Sequence, residues 1–215
     1  MEILGIDTNA KTVKGSKFGY ITGISYLAPS DESGVANTCA DATSGCRAAC
    51  LFTAGRGAMS NVKSARVNKT LAFFRNNNVW MKQLAVEVSK LVKKAAKENK
   101  VPCVRLNGTS DLPWERVKID DKNIMEHFPS VQFYDYTKSF ARIMDFLAGN
   151  LPPNYHLTFS RSETNEIQVE TVLKAGGNVA VVFRGELPET YKGIKVINGD
   201  ESDLRFIDVK NVVVG

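Results

Sequence analysis

The sequence has few of the residues that would indicate a disulfide scaffold, a histidine-based site or a membrane segment. Its 215 residues include four cysteines and two histidines, and no apolar run approaches the length that crosses a bilayer. The first residues, MEILGIDTNAKTVKG, contain no apolar segment of the kind found in signal peptides. These absences predict a protein that stays in the cytoplasm and keeps its cysteines as free thiols.

Motifs of several common protein classes are also missing. There is no G-x-S-x-G element for a serine hydrolase, and Gly176 and Gly177 follow a predicted helix rather than opening one as a nucleotide-binding motif would. His156 begins a predicted strand and is interpreted as a packed ring. The net charge of +5 permits binding to an anion or a nucleic acid, but runs such as KLVKKAAKENK are typical of a solvated helix face.

Three of the four cysteines lie close together, in the stretch CADATSGCRAAC. Cys39, Cys46 and Cys50 have the spacing C-x6-C-x3-C, with small and polar residues between them. Thiolates bind zinc, copper(I) and iron–sulfur clusters, and structural zinc sites usually show C-x2-C pairs and four ligands. The spacing therefore favours a [4Fe–4S] cluster with one iron left to another ligand, with zinc or unliganded thiols as alternatives. Cys103 is either a fourth ligand or an ordinary buried thiol.

The order of β-rich and helical segments predicts an α/β fold in a single domain, residues 1–215. Residues 18–28 are predicted to form the first strand or a tight strand pair, and the cysteine loop, residues 37–58, follows. Two predicted helices come next, and the later β-rich runs VPCVRLN, VQFYDYT, YHLTFS, NVAVVF and IKVIN alternate with helical stretches. Alternation of this kind predicts parallel βαβ units with right-handed crossovers, about six of them, forming a partial TIM-like barrel.

Polar residues follow the predicted strands at their carboxyl ends, which is where parallel barrels build their active sites. A pocket for a small anionic molecule or cofactor is expected there, together with a cation in the TAGRG turn after the cysteine loop. The residues expected to bind this ligand are Arg56, Arg105, Asn107, Asp111, Lys138, Ser160, Arg161 and Glu163. Asp111, Asp135 and Glu163 could handle protons. The alternative is a set of internal ion pairs and caps that hold loops in place.

Five stretches carry a resemblance to a known family: KFGYITGISYLAP, CADATSGCRAACLFTAGRG, VRLNGTSDLPWE, FYDYTKS and YHLTFSRSE. They resemble bacteriophage proteins related to gene product 88, over about residues 14–185. The resemblance implies a viral product that works in the host cytoplasm, with association with the virion as an alternative. That family is similar to radical S-adenosylmethionine enzymes, whose partial barrel carries a three-cysteine [4Fe–4S] loop after the first strand. This implies Cys39, Cys46 and Cys50 as ligands and S-adenosylmethionine as a candidate cofactor, although those enzymes usually have the shorter spacing C-x3-C-x2-C.

Three functions follow from these features. The first is an iron–sulfur protein that acts as a radical-SAM-like enzyme, or as an enzyme whose open iron serves as a Lewis acid. The second is a non-enzymatic iron–sulfur protein with a role in electron transfer, redox sensing or structure, which a fourth protein ligand would favour. The third is a zinc-containing module that binds nucleic acid, which would need aromatic residues interleaved with lysines on one surface.

Overall fold

The computed structural model describes residues 1–6 and 10–215, and these contain eleven strands and seven α-helices. The strands are β1 (Leu4–Ile6), β2 (Tyr20–Ser25), β3 (Val101–Arg105), β4 (Lys118–Ile119), β5 (Lys122–Asn123), β6 (Gln132–Thr137), β7 (Tyr155–Ser160), β8 (Val179–Ala180), β9 (Thr190–Tyr191), β10 (Ile194–Ile197) and β11 (Val213–Val214). The helices are α1 (Ala10–Gly15), α2 (Ser44–Ala48), α3 (Ser60–Arg75), α4 (Asn77–Lys97), α5 (Ile124–His127), α6 (Phe140–Leu147) and α7 (Glu166–Lys174). Short 3-10 turns cover Ser16–Phe18, Gly55–Ala58, Trp114–Arg116 and Arg205–Ile207.

Nine of the described strands form one mostly parallel sheet, in the order β1-β2-β3-β6-β7-β8-β11-β10-β9. The strands from β2 to β10 in this order are parallel, whereas β1 and β9 are antiparallel edge strands. From β2 to β8, strands adjacent in the sheet follow one another along the chain, and helices connect them. The α/β fold predicted from alternating strands and helices is therefore confirmed.

The sheet differs from the expected barrel in three respects. In the described part of the chain its two edges, β1 and β9, do not pair with each other, so no closed barrel forms. β1 precedes the strand predicted at residues 18–28, and the cysteine loop follows the second strand. The helical crossovers end at β8. The parallel strands β10 and β11 pair with each other, and the chain that connects them consists of loops and one short 3-10 turn. β1 and β11 have three and two residues, too few to show an alternating pattern.

Helix α4 covers one face of the sheet with an apolar stripe at three- and four-residue spacing. Leu84, Val88 and Leu91 are fully buried, and residues at this spacing lie on one face of a helix. Burying one such side chain contributes about 1.5–3 kcal/mol. On the same helix, the Glu87 carboxylate accepts the backbone N–H groups of Ile3 and Leu4 at 2.9 and 2.8 Å, which fixes the edge strand β1 to the helix. No described helix combines the length and the apolar character needed to span a membrane.

The opposite face of the sheet is covered by the segment 202–208. Successive strand residues point to opposite faces, so Val104 packs in the large core with the helices while Cys103 packs with Leu204. The ring of Phe206 packs edge-on against Tyr20 and Tyr134, with centroids 5.1 and 5.4 Å apart. The central part of this face is therefore filled by the chain itself.

Candidate functional site

The cysteine loop lies at the carboxyl-terminal edge of the parallel strands. The backbone N–H of Asp111, in the segment after β3, donates to the Thr38 carbonyl oxygen at 2.8 Å. The Gly45 N–H donates to Oε1 of Glu163, which follows β7, also at 2.8 Å. These two contacts tie the loop to the ends of two different strands.

Local sequence explains how the loop turns at its centre. Helix α2 begins after Thr43, whose side-chain oxygen caps it by accepting the Cys46 N–H at 3.2 Å. A Cβ at position 45 would lie 2.7 Å from Oε1 of Glu163, so a larger residue there would displace this carboxylate from the Gly45 N–H. Hydrogen bonds from the Glu163 backbone, the Thr43 side chain and the Gly45 backbone lower the pKa of Glu163. The predicted residue Glu163 therefore anchors the loop.

The three loop cysteines are free thiols and are half-buried. Cys46 lies in α2, and Cys50 lies two residues past the end of this helix. The two cysteines are therefore four residues apart, which is about one helical turn. Cys39 approaches from the start of the loop, and its Sγ lies 3.6 Å from the Thr109 carbonyl oxygen. Burial raises the pKa of Cys39, against hydrogen bonds that lower it, and the nearby charges of Asp111 and Cys50 add to the increase.

These thiols suit a metal cluster in type, but they are not gathered around one centre. In the described residues, no group of three or more His, Cys, Asp and Glu side chains is arranged to hold a metal ion. Cys103 lies in the core, where its Sγ is 3.1 Å from Oγ1 of Thr22 and 3.5 Å from the Ile21 carbonyl oxygen. These are the contacts of an ordinary buried thiol.

Two of the predicted ligand-binding residues, Arg105 and Asn107, are engaged within the fold. Arg105 pairs with Asp203 at 2.9 Å and stacks over the Tyr136 ring, with its side chain 16% exposed. The Asn107 N–H donates to Oδ1 of Asp135 at 2.7 Å, and its side-chain oxygen accepts from Trp114 at 2.9 Å. These contacts match the alternative expectation of internal pairs that hold loops.

Asp111 and Asp135 belong to a buried polar network on the helix-covered face. Arg142 donates to Asp111 at 2.6 Å and to the Tyr155 hydroxyl at 2.9 Å, and that hydroxyl donates to Asp135 at 2.9 Å. Burial raises the pKa of Asp135 to about 7, against hydrogen bonds from Asn107 and Tyr155 and the charge of Arg105. The sequence pattern missed Arg142, which lies in the largely apolar helix α6, and Tyr155, which is the first residue of β7.

A pocket of about 180 Å³ lies beside the cysteine loop. Its lining residues are Asp41, Thr43, Lys138, Phe140, Phe159, Ser162, Thr164, Asn165 and Gln168. Of the eight residues predicted to bind a ligand, Lys138 is the one that lines it. A larger pocket, of about 520 Å³, lies between the β4–α5 and α6–β7 regions, and none of the eight predicted residues lines it.

The remaining predicted residues have other surroundings. Ser160 contributes its carbonyl oxygen to the pocket residue Asn165, whose side-chain nitrogen donates to it at 3.0 Å. Arg161 pairs with Glu166 at 2.9 Å on the surface. Arg56 is exposed in the 3-10 turn that ends the loop. The structure thus brings the cysteine loop, Lys138 and Glu163 together, and leaves Arg161 in a surface pair.

One cation beside the loop was missed by sequence reasoning. Arg66, in α3, is 9% exposed, and its guanidinium packs over the rings of Tyr26 and Phe52 at 4.9 and 5.8 Å from their centroids. Burial lowers the pKa of Arg66, while the nearby Tyr26 and Cys50 act to raise it. Nothing in the α3 sequence distinguishes this arginine from the other cations of the helix.

The fold and the site define an α/β protein with a mostly parallel sheet and a thiol-bearing loop on its carboxyl-terminal edge. Residues 4–215 match the family model described as Gene product 88, so the chain belongs to that family. Comparisons with curated proteins and with solved structures found no similar chain. The expected resemblance to gene product 88 is confirmed over nearly the whole chain, whereas these comparisons show no similarity to radical S-adenosylmethionine enzymes.

Proposed function

We propose that this protein binds an iron–sulfur cluster through Cys39, Cys46 and Cys50. The observation that carries the proposal is the presence of three free, half-buried thiols on one loop at the carboxyl-terminal edge of the parallel strands. Two of them are about one helical turn apart, and Cys39 is close enough to Cys50 for their charges to interact. Thiolates are the ligands that such clusters require.

In this proposal the loop gathers its three sulfur atoms when the metal binds. Metal binding and local folding are commonly coupled, because a complete site rarely exists without its metal. The loop is fixed at Thr38 and Gly45 by hydrogen bonds and at Phe52 by burial, so its ends are held while the thiols face partly outward. Completing the site then requires the loop to rearrange between these anchors.

We further propose that the pocket beside the loop binds a small anionic molecule. Lys138 supplies positive charge, and the hydroxyl groups of Thr43, Ser162 and Thr164 supply hydrogen bonds. The volume of about 180 Å³ is below the roughly 300–1,000 Å³ of typical ligand pockets, so it suits a small anion or one end of a cofactor. S-adenosylmethionine is the cofactor to test, and a cluster with an open iron would supply electrons or Lewis acidity. This version of the proposal relies on the consecutive parallel strands from β2 to β8, at whose carboxyl ends the loop and the pocket lie.

A non-enzymatic iron–sulfur role is the second candidate. It is favoured by the engagement of Arg105, Asn107 and Asp111 in internal contacts and by the segment 202–208, which fills one face of the sheet. The cluster would then transfer electrons, sense redox state or stabilise the loop. In either case we propose a phage protein that acts in the host cytoplasm or with the virion, as its family resemblance implies.

Metal analysis of cysteine variants tests the proposal. Wild-type protein purified without oxygen is expected to be brown and to contain iron and acid-labile sulfide. Cys46→Ser should lose most of both, because a cluster held by two thiolates is poorly retained. Cys103→Ala is the matched control and should keep them, since that thiol lies in the core. Folded wild-type protein with stoichiometric zinc and no sulfide would instead support a zinc site.

Addition of S-adenosylmethionine to the reduced protein separates the two candidates. The enzymatic version expects a change in the cluster's electron paramagnetic resonance spectrum and a cleavage product, both weakened in Lys138→Ala. An unchanged spectrum with no product would favour the non-enzymatic role. Lys118→Ala, at an exposed strand position, provides the control for removal of a lysine.

A further inference from the structure

Helix α4 carries a row of lysines on the side that faces away from the core. Lys82, Lys90, Lys93 and Lys97 are exposed, and none of them pairs with a carboxylate in the part of the chain that the structure describes. At 3.6 residues per turn, these positions fall within an arc of about 80° on the helix surface. The buried residues of α4 lie on the other side. We call these four residues the lysine stripe.

The lysine stripe differs in charge pattern from a helix face that only contacts water. Such faces often place acidic residues four positions from basic ones, because opposite charges at that spacing stabilise a helix. The nearby acidic residues are engaged elsewhere: Glu87 accepts backbone N–H groups at β1, and Glu98 pairs with Lys94 and Lys100. The stripe instead holds like charges three and four positions apart, which destabilise a helix. The interpretation of a solvated face accounts for the exposure of these lysines but not for their uninterrupted positive charge.

The helix dipole accounts for only one end of the stripe. Cations in the last turn of a helix are stabilised by the partial negative charge of its carboxyl end, and this effect fades within that turn. Lys97 lies in the last turn, whereas Lys90 lies about two turns before it and Lys82 about four. An anionic partner would relieve the repulsion along the whole stripe.

We propose that the lysine stripe binds the phosphate backbone of a DNA duplex without regard to base sequence. This inference goes beyond the proposed function and does not depend on the cysteine loop. At a rise of 1.5 Å per residue, the distance from Lys82 to Lys97 along the helix is about 22 Å. This length corresponds to about six base pairs at 3.4 Å each. The buried face of α4 packs on β2 and β3, so the four charges form one fixed line.

The composition of this face favours a duplex over other polyanions. The stripe contains no aromatic side chain, and stacking of bases on aromatic rings is what binds single strands. The apolar residues on the same side are Val79 and Val86, 63% and 49% exposed, and two valines offer little apolar surface for insertion into a membrane. Lysine contacts to phosphates position a duplex but carry no sequence information.

Binding of the full-length protein to a short DNA duplex of mixed sequence, followed by fluorescence anisotropy at several salt concentrations, tests this inference. The logarithm of the association constant should fall linearly with the logarithm of the salt concentration, with a slope of about −3.6 for four phosphate contacts. Lys90→Gln combined with Lys93→Gln should reduce the slope to about −1.8 and weaken binding about tenfold or more at about 0.1 M salt. Equal affinities and slopes in this variant and wild type would overturn the inference.

The matched control is Lys195→Gln combined with Lys210→Gln. It removes the same net charge from exposed positions, in β10 and just before β11, which lie in the other half of the sheet from the strands that α4 covers. Its slope should remain that of wild type. A slope reduced as much as in the stripe variant would overturn the inference, because binding would then follow net charge alone.

Vesicles and thermal unfolding separate the remaining alternatives. Wild type should bind phosphatidylserine vesicles more weakly than the duplex at the same salt concentration, and tighter binding to vesicles would overturn the inference in favour of a membrane surface. The stripe variant should melt at the wild-type temperature or above it, because like-charge repulsion has been removed. A clearly lower melting temperature would assign these lysines a structural role and overturn the inference. Absence of salt-dependent duplex binding by wild type would also overturn it, while leaving the proposed cluster unaffected.

Discussion

At the scale of single residues, the cysteines divide into two kinds that the sequence alone cannot separate. Cys103 occupies a strand position opposite Thr22 and is fully buried, whereas Cys39, Cys46 and Cys50 are half-buried on a loop. A buried thiol in the core behaves as a small apolar side chain, and a partly exposed thiol is available to a metal. The surroundings of the cysteines, more than their spacing in the sequence, therefore support the three loop cysteines as the proposed metal ligands.

Asp135 is the residue whose titration should be visible in stability. Its pKa is about 7 in the fold and about 3.9 when unfolded, so the folded state holds a proton that the unfolded chain releases between these values. The contribution of Asp135 to the free energy of unfolding is therefore largest below about pH 4. It falls by up to about 4 kcal/mol as the pH rises to about 7. Asp135→Asn should remove this fall.

Urea unfolding of wild type and Asp135→Asn at several pH values measures this effect. The difference in unfolding free energy between the two proteins should change steadily from about pH 4 to about pH 7. A pH-independent difference between wild type and Asp135→Asn would show that burial does not raise this pKa.

At the scale of elements, the loop depends on a close backbone approach at Gly57. A Cβ at this position would meet the Leu51 carbonyl oxygen at 2.2 Å, and a backbone atom cannot rotate away as a flexible side chain can. Gly57→Ala should therefore destabilise the protein by about 1–3 kcal/mol and reduce iron retention. The comparison is Gly15→Ala, whose Cβ would meet Leu204 at an ordinary 3.5 Å and should have little effect.

Thermal unfolding and iron content, measured on both glycine variants, check this expectation. The loop interpretation requires that Gly57→Ala change both quantities. Wild-type stability and iron content in Gly57→Ala would mean that the turn is not packed as described.

At the scale of the whole molecule, a buried charge pair fixes the segment 202–208 against the face of the sheet that it covers. Asp203 accepts from Arg105 at 2.9 Å and from the Tyr134 hydroxyl at 3.2 Å. Asp203→Ala would leave Arg105 buried without its partner, at a cost of about 3–5 kcal/mol. The double variant Arg105→Met with Asp203→Ala should recover part of this loss, because no isolated charge remains.

A double-mutant cycle in unfolding free energy measures that coupling. Additive effects of the two substitutions would contradict a direct interaction between Arg105 and Asp203. The position of the segment 202–208 would then depend on apolar contacts alone. Recovery in the double variant would support the interpretation that charge pairing fixes the segment against the sheet.

The sequence predicted what depends on local pattern and missed what depends on distant partners. The apolar stripe of α4 and the β-rich runs at β3, β6 and β7 are periodic, so these elements were predicted. The two- and three-residue strands β11 and β1 have no period to detect. Arg66 and Asp203 are ordinary polar residues in sequence, and only the fold places one over the rings of Tyr26 and Phe52 and the other against Arg105.

The most direct test of the cluster is the electron paramagnetic resonance spectrum of dithionite-reduced protein prepared without oxygen, with iron and sulfide measured on the same sample. We expect the signal of a reduced iron–sulfur cluster in wild type and in Cys103→Ala, and its loss in Cys50→Ser. A folded wild-type protein without this signal, iron or sulfide would contradict the account.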